Sequence, residues 1–333
     1  MKKIIRILGI LLAVQVALAV GLRIRGTGFA SASGKPLIAA NLDVVDRITI
    51  DSGDHVQAVL AKVGNAWQLP NLGGFPADDK QVEQLLNQLK RIAPDTPMAT
   101  SADALERFKV ADNRFDRRIT LGHGAKAVET LYLGMPQGPR SMPIRRAGEY
   151  KVYSIRPDAL DAMTKDDNWA TTMALQLPKN SIARIDVNDA GSGSGFVLRA
   201  PAPSKPAVAG EKNSPTWQAD GLKPGETLDS AAADKLADLL ANMNNGRVLG
   251  RDRQPDYGLD QPLLTLTLTT RDGKRIGYAI GKRAKKDEYT LKASSRPEYF
   301  SLPSFTAQPL LDAAKRATLL GKPRTQTSTS PKS

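Results

Sequence analysis

Residues 45–160 and 182–312 read as two copies of one unit, and this duplication restricts the possible folds more than any other feature of the chain. Trp67-Gln68-Leu69 recurs as Trp217-Gln218-Ala219, Val152-Tyr153-Ser154-Ile155 as Tyr299-Phe300-Ser301-Leu302, and Leu133-Gly134 as Ile280-Gly281. The last two pairs share one offset, since 299 − 152 and 280 − 133 both equal 147, which implies equal strand lengths and register between them. A chain of 333 residues accommodates two domains that each bury a core. With 41% hydrophobic and 24% charged residues, both halves should fold.

Each unit opens with a strand pair of half-buried alternation: Arg47–Ile50 with Val56–Val63, and Arg184–Val187 with Phe196–Arg199. An amphipathic helix follows. Asp78–Ile92 sets Val82, Leu85, Leu86 and Leu89 on one face, and Asp229–Met243 sets Ala233, Leu236, Leu240 and Met243 at the matching spacing, with Asp78 and Asp229 as N-caps. Short strands then form an antiparallel meander: Arg118–Leu121, Thr130–Leu133 and Lys151–Ile155 in the first copy, and Leu263–Thr270, Arg275–Ile280, Tyr289–Lys292 and Tyr299–Leu302 in the second. Leu264, Leu266 and Leu268 alternate with Thr265, Thr267 and Thr269, so one face is dry and one wet, and Asp272-Gly273 makes a hairpin turn. Terminal helices are expected near Pro157–Met163 and Ser304–Leu320, and Ala200–Ser214 reads as a surface loop.

The net charge of +13 lies mostly outside this body. Residues 1–40 hold six basic and no acidic side chains, and 322–333 hold three and none. Residues 41–180 carry 18 of each sign and 181–321 carry 20 basic against 16 acidic, which disfavours a nucleic-acid partner that would need a concentrated basic face with stacking aromatics. The absence of cysteine excludes disulfides and thiolate metal sites.

Lys2, Lys3 and Arg6 precede an apolar run from Ile7 to Leu22, broken only by Gln15, and Arg23 and Arg25 follow. This is a signal peptide or a signal anchor. As helix the run spans about 24 Å, and flanking arginines can lend their stems toward the roughly 30 Å core of a bilayer. Ala17-Leu18-Ala19 lies inside the apolar run and Ala30-Ser31-Ala32 beyond two arginines, so an uncleaved anchor is the favoured reading. Flanking charge favours the N-terminus inside only slightly.

The expectation is thus an α+β fold: two tandem copies of an antiparallel-sheet-plus-helix unit behind an N-terminal transmembrane helix. The anchor covers 1–25, a linker 26–44, the repeats 45–180 and 181–320, and a disordered basic tail 321–333.

No catalytic constellation stands out. His55 and His123 lack paired carboxylates at ligand spacing and read as loop residues. The run Gly191-Ser192-Gly193-Ser194-Gly195 leads into a strand rather than a Lys-Ser/Thr helix start, so it is a hairpin loop, not a phosphate cradle. Asp78-Asp79 and Asp166-Asp167 sit at helix ends, where caps are expected. Trp67, Trp217, Tyr153 and Phe300 recur between copies and read as core. The one local feature beyond these is a basic cluster, Arg271, Lys274, Arg275, Lys282, Arg283, Lys285 and Lys286, around two hairpin turns. It is either a solvated edge that resists aggregation or a contact for anionic headgroups, acidic glycan or a partner's acidic loop. No cofactor or metal is expected.

Several phrases resemble the bacterial domain of unknown function 4340. They are Trp67-Gln68-Leu69-Pro70 before an Asp-led helix, Asp256-Tyr257-Gly258-Leu259-Asp260-Gln261-Pro262 before a strand, Ile280-Gly281 at a strand end, and Tyr299-Phe300-Ser301-Leu302. Phe108-Lys109-Val110-Ala111-Asp112 is a degraded first-copy version of the Tyr-Gly-Leu phrase. The resemblance covers most of residues 45–315. It implies a membrane-anchored protein, in some cases an auxiliary component encoded with ABC-type export systems, and it carries no catalytic residues. The function expected first is a non-enzymatic, envelope-facing auxiliary subunit of an ABC-type transport system. It would sit in the bacterial inner membrane by a single pass, with its body in the periplasm and an ABC-type permease or related envelope protein as partner. The alternatives are a stand-alone envelope scaffold binding glycan or anionic lipid headgroups, and an unrecognised hydrolase.

Overall fold

The structure is a computed structural model that describes residues 35–53, 57–94, 96–189, 195–201, 216–222, 224–284 and 287–321. The expected anchor, Asp54 to Val56 with His55, most of the glycine run, the loop from Ala202 to Pro215 and the basic tail lie outside the described residues. Among the described residues no helix is long and apolar enough to cross a membrane. The fold is mixed α and β, with two large antiparallel sheets and few helices. The chain divides into two compact units, Met1–Ala61 with Lys80–Thr164 and Lys62–Asp79 with Lys165–Ser333.

The first sheet is built from β1 (Arg47–Ser52), β2 (Gln57–Val63), β3 (Ala66–Leu69), β4 (Phe75–Pro76), β7 (Arg117–His123), β8 (Lys126–Leu133), β9 (Met142–Arg146) and β10 (Tyr153–Ile155). Its order is β10-β9-β8-β7-β1-β2-β3-β4. Period-2 alternation buries Ile48, Ile50, Ile119, Leu121, Leu131, Leu133 and Ile144 completely. Helix α1 (Asp79–Arg91) buries Val82, Leu85 and Leu89 at the i, i+3, i+7 spacing, and Leu86 is half-buried at the rim of that stripe. Between α1 and β7 lie α2 (Ala102–Arg107) and the small hairpin β5 (Val110–Ala111) and β6 (Arg114–Phe115). Val110, Tyr132 and Val152 make a second small core there.

The second sheet contains β11 (Ile182–Asp189), β12 (Phe196–Arg199), β13 (Gln218–Asp220), β15 (Arg247–Gly250), β16 (Leu264–Thr270), β17 (Arg275–Lys282), β18 (Glu288–Ala293) and β19 (Tyr299–Pro303). Its order is β13-β12-β11-β16-β17-β18-β19-β15. Two-residue strands β14 (Thr227–Leu228) and β20 (Leu320–Gly321) pair with each other. Helix α3 (Ser230–Ala241) is capped by Asp229, whose carboxylate accepts from the Ala231 and Ala232 N–H groups at 2.9 and 3.1 Å. Its Leu236 and Leu240 join Leu266, Leu268, Ile280, Leu291 and Phe300 in one core. In β16 the leucines are buried and Thr265, Thr267 and Thr269 half-exposed, as the alternation predicts.

The strand run β2-β1-β7-β8-β9-β10 has the same order as β12-β11-β16-β17-β18-β19. The pairings agree as well. Ile48↔Leu121 answers to Ile185↔Leu268, Leu133↔Ile144 to Ile280↔Leu291, and Tyr153↔Ile144 to Phe300↔Leu291. From β7 onward paired positions meet their counterparts 147 residues later, as in 268 − 121 and 300 − 153, except at the β7–β8 bulge, where Gly122 pairs with Ala127 but Thr269 with Arg275.

Three expectations need correction. Residues 157–159 form a single 3-10 turn, not a terminal helix, because seven residues begun by a proline give too few hydrogen bonds to repay helix nucleation. The span 304–320 is two helices, α4 (Ser304–Ala313) and α5 (Arg316–Leu319), separated at Ala314 and Lys315. Strands β9 and β15 are additional to those expected from alternation, and β9 carries a proline. Pro143 is tolerated because it stands opposite Gly134, one position beyond the last paired residue of β8, so only a terminal ladder bond is lost, while its carbonyl still accepts from the Gly134 N–H at 2.9 Å.

The recurring glycines at strand ends have a steric cause. A Cβ on Gly281 would lie 2.4 Å from the Gly258 carbonyl oxygen and 2.7 Å from that of Tyr257; one on Gly134 would lie 2.0 Å from the Phe108 oxygen. In each unit a turn is laid backbone against backbone on a strand end. Gly258 holds that turn at φ 66°, and Lys109 holds the first-unit turn at φ 53°, the only non-glycine residue with positive φ among the described residues. The degraded phrase thus keeps the conformation without the glycine, at a strain of about 1 kcal/mol.

Tyr278 is 3% exposed and its hydroxyl has no hydrogen-bond partner among the described residues. Burial pushes its pKa up to about 12. In the unfolded chain tyrosine titrates near 10, so the stabilising effect of keeping this phenol neutral is complete below about pH 10 and is lost as pH rises toward 12. Tyr278→Phe should remove that alkaline slope. At neutral pH it should be neutral or stabilising by up to about 1 kcal/mol, since an unpaired buried hydroxyl is eliminated. Urea melts at pH 7 and 10.5 check both; a loss above 1 kcal/mol at pH 7 would show that the hydroxyl has a partner in solution.

Candidate functional site

The basic cluster sits on β16 to β18, where alternation and the Asp272-Gly273 turn fold the segment locally. Gly273 takes φ 87°, its N–H donates to the Thr270 carbonyl at 2.9 Å, and the Thr270 hydroxyl donates to the Asp272 carboxylate, which it holds below the usual carboxylate range. The cluster is not one patch. Arg275 begins β17 and Lys282 ends it, and seven strand steps of roughly 3.3 Å separate the two turns by roughly 23 Å.

Its members also differ in what they can reach. Arg271 is exposed, but its Nε and Nη2 donate to the Asn180 and Pro201 carbonyls at 2.7 and 2.6 Å, so it pins the start of β11. Arg283 is 7% exposed and pairs with Asp256 at 2.7 Å and Glu288 at 3.1 Å, its guanidinium 5.5 Å from the Tyr257 ring centroid. It ties the Tyr257-Gly258 turn to β18 and is no surface contact. Lys282 is exposed, bonds Asp287 at 2.9 Å and lies 4.5 Å over the Tyr289 ring. The Asp287 carboxylate is held below the usual range by Lys282 and then by the Ser304 hydroxyl. Lys285 and Lys286 lie outside the described residues. Lys274 and Arg275 remain, both exposed, with no side-chain ion pair to a described residue. Among the described members of the cluster they are the two exposed cations without an ion pair or a hydrogen bond to a backbone carbonyl.

The other singled-out residues fall mostly into structural roles. Trp67 and Trp217 are 4% and 8% exposed, and each backbone N–H donates to the start of the following helix, to Asp79 at 2.9 Å and Ser230 at 3.0 Å. Phe300 is fully buried, whereas Tyr153 at the matching register is half-buried. His123 Nδ1 lies 3.0 Å from Asp46 and the ring is 62% exposed. Asp166 accepts from Asn71 Nδ2 at 3.0 Å, and Asp167 is pushed above the usual carboxylate range by partial desolvation. No group of three or more His, Cys, Asp or Glu among the described residues could hold a metal ion.

Sequence reasoning missed a pair of desolvated cations. Arg145, 2% exposed, reaches the Val110 carbonyl at 2.6 Å and the Glu149 carbonyl at 3.0 Å. Lys292, half-buried at the equivalent register, donates to the Arg296 and Pro297 carbonyls at 2.5 and 2.8 Å, and desolvation lowers its pKa. Both clip the turn that follows their strand. The shared offset was the signal that could have revealed them.

A family model described as "Domain of unknown function (DUF4340)" matches residues 67–262, from Trp67 through the Asp256–Pro262 phrase. No curated protein and no solved structure matches the chain.

Proposed function

The chain belongs to the DUF4340 family, and from that premise we propose that it is a non-enzymatic, membrane-tethered accessory subunit on the envelope side of an ABC-type transport system, built from two tandem copies of one α+β unit. The observation that carries this reading is the shared strand order and register of the two sheets. What recurs between them is what the fold requires: the tryptophans, the strand-end glycines and the cation clips. The long apolar run Ile7–Leu22 between basic flanks supports a single-pass anchor in the bacterial inner membrane, with the body in the periplasm. The partner would be a permease or a related envelope protein. Alkaline phosphatase fused after Ser333 should then be active, and the protein should stay with the membrane fraction and co-purify with an ATPase and permease. An inactive fusion, or a trimmed soluble product, would overturn the topology.

A second reading, a scaffold for anionic lipid headgroups or acidic glycan, is favoured by exposed Lys274 and Arg275. Reversing both to glutamate should weaken binding to anionic liposomes, since each basic residue near such a surface contributes on the order of 1 kcal/mol. Surface changes alter stability by under about 0.5 kcal/mol. Arg283 must be left out of this variant, because its reversal would bury a carboxylate beside Asp256 and Glu288. Liposome binding equal to wild type would sink this second reading.

A further inference from the structure

Each unit opens a cavity at the same place in its sheet, beside the first hairpin and the strand paired to it. In the first it is about 590 Å³ and is lined by Asp51, Gln57, Asn113, Arg114, Phe115 and Arg118. In the second it is about 420 Å³ and is lined at the equivalent positions by Asn188, Gly195 and Thr265. The equivalence is one of register: Asp51 pairs with Arg118 and with Gln57, while Asn188 pairs with Thr265, and Gly195 precedes Phe196 as Gln57 precedes Ala58. The surrounding strands match, but the chemistry does not. One cavity has a buried carboxylate, an amide and two arginines; the other is neutral at the three matched positions, and its charged lining residues, Asp186 and Asp220, are both acidic.

A duplicated fold provides its own control. Because the second unit keeps the same strand order with Asn188, Gly195 and Thr265, the sheet does not need Asp51, Gln57 and Arg118, and their presence calls for another cause. Asp51 is 8% exposed and is held on one oxygen by Gln57 Nε2 at 2.6 Å and on the other by Arg118 Nε and Nη2 at 2.9 Å each. It fixes one edge of the Arg118 guanidinium from behind, while the Phe115 ring, 5.0 Å away, supports its face. The Nη1 edge of Arg118 has no partner among the described residues. Arg114 comes from the β5–β6 hairpin and is only loosely engaged, 3.6 Å from Glu106. That hairpin is seated where Gly53 lacks a side chain, since a Cβ there would lie 2.7 Å from the Phe115 oxygen. The Arg118 guanidinium fixed by Asp51 and the loosely paired Arg114 guanidinium beside it suit an oxyanion, which accepts charge-assisted hydrogen bonds from each. The volume suits a small-molecule ligand.

We infer that this cavity binds the oxyanion, carboxylate or phosphate, of a small organic molecule of sugar size, with Arg114 and Arg118 as its ligands and Asp51 as the positioning residue for Arg118. The comparison of the two cavities rests on the duplication described above, and the site itself does not depend on the transport reading. Titration calorimetry on the full chain would use glucuronate as the carboxylate source, glucose 1-phosphate as the phosphate source, and inorganic phosphate alone. One of the two sugar anions should bind. Arg114→Gln, which removes an exposed side chain, should weaken it at least about tenfold, the effect of losing one charge-assisted bond. The paired change Asp51→Asn with Arg118→Thr installs the second unit's residues. It should abolish binding while the melting temperature stays within about 2 °C of wild type. Arg199→Gln, on an exposed pair with Asp220, should leave binding unchanged. No binding by either sugar anion, phosphate binding alone as an adventitious ion only, binding that survives Arg114→Gln, or unfolding of the paired variant would each overturn the proposal, the last by showing the pair to be structural.

Discussion

Alanine at Gly281 is expected to destabilise the protein by about 3 kcal/mol or more, and alanine at Gly134 by a similar amount. Neither glycine has positive φ, so the backbone itself accepts alanine, and the whole effect is steric. The atoms in the way are main-chain carbonyls of the packed turn, 2.4 Å from the new methyl at Gly281 and 2.0 Å at Gly134. Flexible side chains can yield to an added methyl, but here a turn must lift from the sheet, which places the loss at or above the usual 1 to 3 kcal/mol of overpacking. At Gly258 the clash, 2.1 Å from the Lys282 oxygen, adds to a left-handed φ of 66°. Gly273 is the control. It has φ 87° but open space around its Cβ position, so Gly273→Ala should show only the backbone term of about 1 to 2 kcal/mol. Urea denaturation of the four variants measures the order. A Gly281→Ala variant as stable as Gly273→Ala would show that the turn is not seated on the strand.

Truncating Phe300 to alanine should cost about 3 to 5 kcal/mol, the range for a large buried aromatic. The ring is fully buried, shares the core with Leu291, Ile280 and Leu240, and meets Phe75 edge-on at a centroid distance of 5.9 Å. Phe300→Leu should keep most of the stability. Tyr153→Ala, at the matching register but half-buried, should lose clearly less than Phe300→Ala. Equal losses at the two positions would contradict the burial difference.

Pairing register was legible in the amino-acid sequence. The constant spacing of Leu133, Tyr153 and their counterparts carried it, because an insertion within a meander would have moved every later side chain to the other face. The dry leucines of β16, the Asp229 cap and the Asp272-Gly273 turn were legible too, since alternation, capping and turn chemistry involve residues within a few positions of one another. Strand β9 was hidden by Pro143, whose tolerance depends on where β8 stops pairing. The basic cluster misled for a related reason. Charges that are neighbours in a hairpin sequence can sit at opposite ends of one strand, and Arg283 is buried by Asp256, 27 positions away. The chain by itself determined periodicity, register and the family to which it belongs. Only the tertiary structure decided which arginines are clips, which are exposed, and that Asp51 meets Arg118 across 67 positions, because burial and charge pairing arise from residues that folding alone brings together.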